Sequence, residues 1–299
     1  MQNVDEPDLL QSTISHVTLP VSVIIPVRNE ARNLPRCLES LRGVGEVYVV
    51  DSHSTDETVD IAHSYGAKVI QFDYQGGWPK KRQWAMNTLQ LTYDWILMVD
   101  ADEALTPQLA DEILRAIQDQ RFEGYYIDLR MYFLGRELRH GGVNLQKLSL
   151  FRRGKGHFEC RLKDQDISMC DIEVHEHMVV QGEAAKLRNP LLHHNYESLS
   201  RFIQKHNEYS NWEAQVLLKL QPSIEDLVPS LFGNQAQRRR WLKTKLFRVL
   251  GSPVLLFLYR YFFRAGFLDG APGLIYCGFQ AVQMFHTKAK MYELSARKD

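Results

Sequence analysis

The first apolar run of the chain, Val21-Ser22-Val23-Ile24-Ile25-Pro26, is short, rich in β-branched residues and stopped by proline, which is the pattern of a buried parallel strand. Behind it, Asn33, Pro35 and the one-sided set Leu34, Leu38 and Leu41 predict a helix capped by Asn33. Residues 46–51 repeat the strand pattern, and Ser54-Thr55-Asp56-Glu57 predicts a capping box for a helix ending near Gly66. A short strand over 68–72, a glycine-containing loop, a helix over about 79–91 and the apolar strand before Asp100 come next; Thr106-Pro107 then opens another helix. Strands and helices in alternation predict an α/β fold, a mostly parallel central sheet flanked by helices, with ligands at the carboxyl ends of the strands. Pro26, Asp51 and Asp100 stand at such ends and should converge on one crevice.

Beyond Gly124 the texture changes. Residues 125–134 and 147–152 read as strands, 157–195 as loop-rich with short strands, and 198–220 as a long helix. From Gln235 the chain is helical, basic and aromatic, which divides it into a polar tail (1–20), a main domain (21–220) and a C-terminal helical region (221–299), with the boundary near Gln221-Pro222-Ser223. The 44% hydrophobic content of 299 residues is ample for a core. Lys+Arg 36 balance Asp+Glu 36, so no global charge calls for nucleic acid as partner. The acidic, polar first ten residues carry no secretory pattern, which predicts a cytoplasmic protein. Cys37, Cys160, Cys170 and Cys277 form no C-x-x-C pair and read as packed, reduced thiols. No apolar run reaches the roughly 18 residues of a membrane span.

The densest chemistry lies in Trp95-Ile96-Leu97-Met98-Val99-Asp100-Ala101-Asp102-Glu103, a buried strand emptying into carboxylates spaced i, i+2. In extended chain the two point the same way, an arrangement suited to a hard divalent cation carrying a phosphate, although an ordinary acidic strand-to-loop junction has the same spelling. Taken with Pro26-Val27-Arg28-Asn29-Glu30 and Val49-Val50-Asp51-Ser52-His53-Ser54-Thr55-Asp56, this ordered set resembles the family-two glycosyltransferases of the GT-A fold. Within that family the chain is most similar to bacterial enzymes that add a sugar, often glucose, to lipopolysaccharide core, and to related surface-polysaccharide transferases.

The resemblance implies a set of roles. Pro26, Val27, Arg28, Asn29 and Glu30, with Asp51 and Ser52, would hold the nucleotide, where carboxylates accept hydrogen bonds from base and ribose. Arg82 would meet the diphosphate, with Lys80 left on a solvated basic face. Asp100, Ala101 and Asp102 would lie around the donor, Asp102 as direct ligand of Mg²⁺ or Mn²⁺ and Asp100 toward the ribose. A histidine at the strand end Leu191-Leu192-His193-His194 would complete the metal shell, His193 before His194. Inverting transfer also needs a base on the far face of the donor sugar. Glu176, in Asp171-Ile172-Glu173-Val174-His175-Glu176-His177, is the first choice, with Asp171 and Glu173 in reserve.

The implied reaction moves a hexose from a nucleoside diphosphate, UDP by expectation, to a hydroxyl of a lipid-linked glycan acceptor. The C-terminal helices would lie on the membrane surface, because 237–248 is basic with interleaved apolar residues and 253–263 is apolar and aromatic. This predicts a peripheral protein at the inner face of the cytoplasmic membrane; homo-oligomerisation stays open. Gln237, Arg240 and Trp241 spell a Q-x-x-R-W string found in processive synthases, but without spanning helices it does not imply processivity. Two other classes remain: a metal-dependent hydrolase built on His175, His177 and His193, and a non-catalytic nucleotide- or glycan-binding module.

Overall fold

The computed structural model describes residues 18–160, 171–173, 176–194, 198–218, 230–232, 237–238, 241, 249 and 251–296. The strands β1 (Leu19–Val27), β2 (Val44–Asp51), β3 (Lys68–Gln71) and β4 (Trp95–Met98) alternate with helices α1 (Leu34–Ser40), α2 (Thr58–Ser64) and α3 (Lys81–Thr88). They are followed by β5 (Glu103–Ala104), α4 (Pro107–Ala116), β6 (Gly124–Phe133), β7 (Arg136–Glu137), β8 (Leu145–Arg152), β9 (Gly156–Phe158), β10 (Met178–Val180), β11 (Ala184–Lys186) and β12 (Leu191–His193). The main sheet runs β3-β2-β1-β4-β8-β6-β12-β5, with β7 and β11 on β6, while β9 and β10 form a separate hairpin. Pairing is parallel from β3 to β4; β8 then turns the sheet antiparallel, and β12 returns parallel to β6. This is the GT-A α/β architecture, a curled and mostly parallel sheet covered by helices, with C-terminal helices added.

Period-two alternation makes two cores. Val21, Val23, Ile25 and Val27 of β1 pack on one face with Leu34, Leu38 and Ile113, and Ile24 faces the other with Val50, Ile96 and Phe151. Both faces are covered, so the strands are nearly continuous hydrophobic runs.

Helix starts differ from the sequence expectation in an instructive way. Thr106 caps α4 as predicted, its Oγ1 accepting from the Leu109 amide at 3.1 Å. Asn33 stands at the cap position of α1, yet its side chain donates to Glu30 Oε2 at 2.8 Å. Ser54 and Glu57 form no capping box; Ser54 Oγ donates to Asp51, and Asp56 accepts from the Thr58 amide at 3.1 Å instead. Residues with capping chemistry are used here to join loops.

The C-terminal helices are α5 (Leu199–Leu218), α6 (Ser252–Leu258), which runs into a π-helical turn (Tyr259–Phe263), and α7 (Gly270–Ala296) after a 3-10 turn (Gly266–Asp269). The α7 helix packs on α5, where Thr287 Oγ1 donates to Glu213 at 3.0 Å and Lys290 Nζ to Ser210 Oγ at 2.6 Å. Buried Asp269 ties this layer to the sheet, accepting from the amides of Arg139 and His140 at 3.1 and 2.9 Å. Among the described residues no helix is long and apolar enough to cross a membrane.

One buried carboxylate holds the far edge of the sheet. Glu46 accepts from Ser22 Oγ at 2.6 Å, Lys68 Nζ at 2.9 Å and the Thr92 amide at 2.6 Å. Burial opposes its charge, but these donors outweigh burial and hold the carboxyl down to about 2. Because the folded value lies below the roughly 4.3 of an unfolded glutamate, the stabilisation is complete above that pH and fades as pH falls toward about 2. Glu46→Gln is expected to lower stability by about 2 kcal/mol at pH 7, with the gap to the parent narrowing below pH 4; urea unfolding across this range measures both.

Candidate active site at the strand tips

The tips of β1 and β2 are stitched together by side chains of the loops they open. Asn29, at φ 55°, donates its amide to Ser54 Oγ at 2.8 Å and accepts from the Thr55 amide at 2.7 Å, while the Glu30 amide reaches Thr58 Oγ1 at 2.8 Å. Asp51 is wholly buried and accepts from the Ser54 amide at 3.0 Å. The Pro26 to Glu30 loop and the Asp51–Ser52 turn thus form one rigid lip. Arg28 stands exposed upon it, with Pro26 and Val27 buried beneath.

The start of helix α3 brings three successive cations to that lip: Lys80 and Lys81 each meet a carboxylate, Glu176 and Asp171, while the Arg82 guanidinium donates to the Glu173 carbonyl at 2.9 Å and pairs with Asp100. Lys81 Nζ donates to the Val27 carbonyl at 2.8 Å and pairs with Asp171 at 3.0 Å, and Asp171 also accepts from Ser52 Oγ. Burial opposes the Asp171 charge, but Lys81 and Ser52 outweigh it and lower its pKa. Glu173 accepts from the Arg82 and Gln83 amides at 3.2 and 2.9 Å, capping α3 from across the fold; burial raises its pKa despite Arg82. Lys80 was expected on a solvated face, but its side chain is 0% exposed. It pairs with the equally buried Glu176 at 3.2 Å, donates to the Ile172 carbonyl and lies 5.1 Å from the Trp212 ring centre. A carboxylate, a carbonyl and an aromatic face offset the desolvation of its charge.

At the tip of β4, Glu103 folds back to accept the Asp100 amide at 2.9 Å. Asp100 pairs with Arg82 on one oxygen and with Lys147 of β8 on the other at 2.7 Å, and Lys147 also reaches Glu103 at 2.8 Å. Burial works against the Asp100 charge, but the two cations hold its carboxyl far below the usual range. Asp102 has neither cation as partner. It faces His193, which β12 carries beside β5 through the pair His193↔Glu103. Burial, with Asp100 alongside, raises the Asp102 pKa despite His193; burial also opposes the His193 charge, yet Asp102 and Glu103 raise that pKa.

Asp102 and His193 fit a divalent cation. His193 Nδ1 lies 3.2 Å from Glu103 Oε1, which leaves Nε2 directed toward Asp102 Oδ2 at 3.6 Å, and that buried nitrogen has no hydrogen-bond partner. Two ligands about 2.1 Å from one ion stand about 3.0 Å apart at right angles and about 4.2 Å when opposed, so this gap suits them. The carboxylate behind Nδ1 is the usual orienting partner of a metal-bound imidazole. Among the described residues no three such side chains gather at one point, so substrate oxygens and water would supply the other positions.

Side-chain contacts at the strand tips therefore link the Asn29–Glu30 turn to the loop after β2, Ser52 to Asp171, and Arg82 to Asp100, with Ala101 buried between Asp100 and the Asp102 that faces His193; Glu176 is a buried contact of Lys80. His194 is outside the metal pair, stacked on Tyr132 at 4.5 Å. His177 sits against Glu159 at 3.2 Å, whereas His193 serves Asp102 and Glu103; His175 lies outside the described residues, as do Cys170, Arg240, residues 1–17 and the 221–223 boundary. Sequence reasoning missed Lys147 and Lys205, the latter on α5 and paired with Glu30 at 2.9 Å. A lysine within an apolar strand next to Leu148 was the available signal for the first, since buried charge demands a partner.

Residues 22–174, about half of the chain, match Glycosyl transferase family 2. The lipopolysaccharide core biosynthesis glycosyltransferase LpsC of Rhizobium meliloti (strain 1021) is 31% identical over 288 residues, covering 94% of each chain. An uncharacterized glycosyltransferase of Rickettsia bellii (strain RML369-C) is 28% identical, over 93% of this chain and 88% of its own. Among solved structures, S. aureus TarS 1–349 overlaps 92% of this chain and 91% of its own at 15% identity and a TM-score of 0.43. With this match and a relative of that identity along nearly the whole length, the chain belongs to glycosyl transferase family 2.

Proposed function

We propose that the protein is a metal-dependent, inverting hexosyltransferase that moves a sugar, glucose by first choice, from a UDP-linked donor to a hydroxyl of a lipid-anchored glycan such as lipopolysaccharide core. The observation that carries this is the buried Asp102–His193 pair, with an unpartnered imidazole nitrogen, at the sheet end that also carries the Pro26 to Glu30 loop and the Asp51–Ser52 turn. The printed name of the R. meliloti relative supports the acceptor class.

The Asn29–Glu30 turn is assigned to base and ribose, with buried Asp51 fixing the Ser54 side of that turn, and Arg82 at the start of α3 is assigned to the diphosphate. Asp102 and His193 would hold Mg²⁺ or Mn²⁺, which offsets charge developing on the leaving diphosphate. Inversion is a single displacement. The acceptor oxygen bonds to the anomeric carbon as the bond to the diphosphate breaks, and a carboxylate takes the hydroxyl proton. Glu176 is assigned that role. Asp171 is engaged by Lys81 and Ser52 and Glu173 by two helix amides, whereas Glu176 is paired with buried Lys80, a contact that must open for the proton to be taken.

In this proposal residues 21–220 form the transferase domain, and the C-terminal helices rest on the cytoplasmic face of the membrane. Exposed apolar side chains along 254–268 support it: Phe263 is 83% exposed and Phe262 56%, with Leu255, Phe267 and Leu268 nearby in the chain. The three-histidine hydrolase has less to stand on, because His177 and His193 attend to different carboxylates.

UDP-glucose with Mn²⁺ is expected to raise the melting temperature of the parent and not of Asp102→Asn, which should also lose transfer by more than about a hundredfold. Undiminished, metal-dependent transfer by the variant rejects the assigned ligand. Phe262→Ser with Phe263→Ser should weaken sedimentation with phosphatidylglycerol vesicles by roughly tenfold or more while leaving the donor-induced thermal shift intact. Equal sedimentation of parent and variant rejects the anchoring role.

A further inference from the structure

We infer that Lys147 is a positioning residue that acts as a built-in counter-cation, engaging Asp100 and Glu103 so that a divalent ion is confined to Asp102 and His193. The inference rests on the proposed metal site and adds a residue to it. Asp100, Asp102 and Glu103 fall within four residues, and their side chains are 24%, 15% and 0% exposed. Left to themselves, three clustered carboxylates would offer a cation several competing positions. Lys147 removes two of them: its ammonium lies 2.7 Å from Asp100 Oδ2 and 2.8 Å from Glu103 Oε1. Arg82 takes the other oxygen of Asp100, and the remaining Glu103 oxygen accepts the Asp100 amide. Asp102 is left as the carboxylate of the run that no lysine or arginine touches, and the imidazole aimed at it is itself held by Glu103. Lys147 comes from β8, the antiparallel strand beside β4, so the sheet fixes its position.

Charge balance gives this role a sign that a merely structural lysine would not share. Without the ammonium, the cluster gains a net negative charge and two freed carboxylates, so a divalent ion should bind more tightly in the absence of nucleotide. At the same time it can settle away from Asp102, and transfer should fall.

The test is Mn²⁺ titration by calorimetry on the parent, Lys147→Met, Lys147→Gln and Lys147→Arg, each first shown to be folded by thermal unfolding. Both neutral variants are expected to bind Mn²⁺ at least roughly tenfold more tightly, since one nearby like charge at an effective dielectric of about 20 opposes a cation by more than a tenfold factor. They should lose at least roughly tenfold in kcat, and Lys147→Arg should restore both quantities toward the parent. Unchanged or weaker Mn²⁺ affinity in a folded neutral variant overturns the role of Lys147; Lys147→Gln keeps hydrogen-bonding capacity and serves if the methionine variant does not fold. A parent that takes up no Mn²⁺ and matches Asp102→Asn overturns the underlying metal site instead.

Discussion

Repulsion among Asp100, Asp102 and Glu103 is the constraint that the rest of the site answers. Two like charges about 5 Å apart cost on the order of 3 kcal/mol at an effective dielectric of 20, so such a run at the mouth of a central strand needs counter-charges held in place. They arrive from three directions: Arg82 from α3, Lys147 from β8 and His193 from β12. The sheet order sets these elements around the tip of β4 and the short β5, so topology supplies the neutralising charges. Asp102 is the carboxylate of the three with no lysine or arginine in contact among the described residues, facing only the His193 imidazole.

The same logic joins the lip formed by the loops after β1 and β2 to the segment after residue 170. Lys80, Lys81 and Arg82 engage Glu176, Asp171 and Glu173, and the outermost pair is sealed under Trp212 of α5. Such an interlock positions chain more than it stabilises it, since desolvation offsets much of the Coulomb attraction in a buried pair. It also makes a loop-rich segment take its shape from a helix start, far away in sequence and adjacent in space.

Much of the frame was legible in the chain because burial on both faces leaves a strong mark. The β1, β2 and β4 strands are β-branched or apolar runs with punctuation at their ends, and the couplet after β4 was found for that reason. Local chemistry was less legible. Ser54 and Asn33 have the composition of caps, but Ser54 is drawn into a contact between loops and Asn33 onto Glu30 of its own turn, and no window of sequence shows which partner a hydroxyl or amide will choose. Lys80 carries no mark separating a sealed lysine from a solvated one, because its burial is set by Trp212, well over a hundred residues on. Lys147 was overlooked because its carboxylates belong to another strand, a pairing that only register reveals.

Strand β12 carries one more consequence. It slots between β6 and β5, parallel to one and antiparallel to the other, and only then does its imidazole meet the couplet. The imidazole and the carboxylates it faces are therefore separated by some ninety residues of synthesis. A chain leaving the ribosome has the loops after β1 and β2 and the acidic tip of β4 long before the imidazole that faces Asp102 can be set in place.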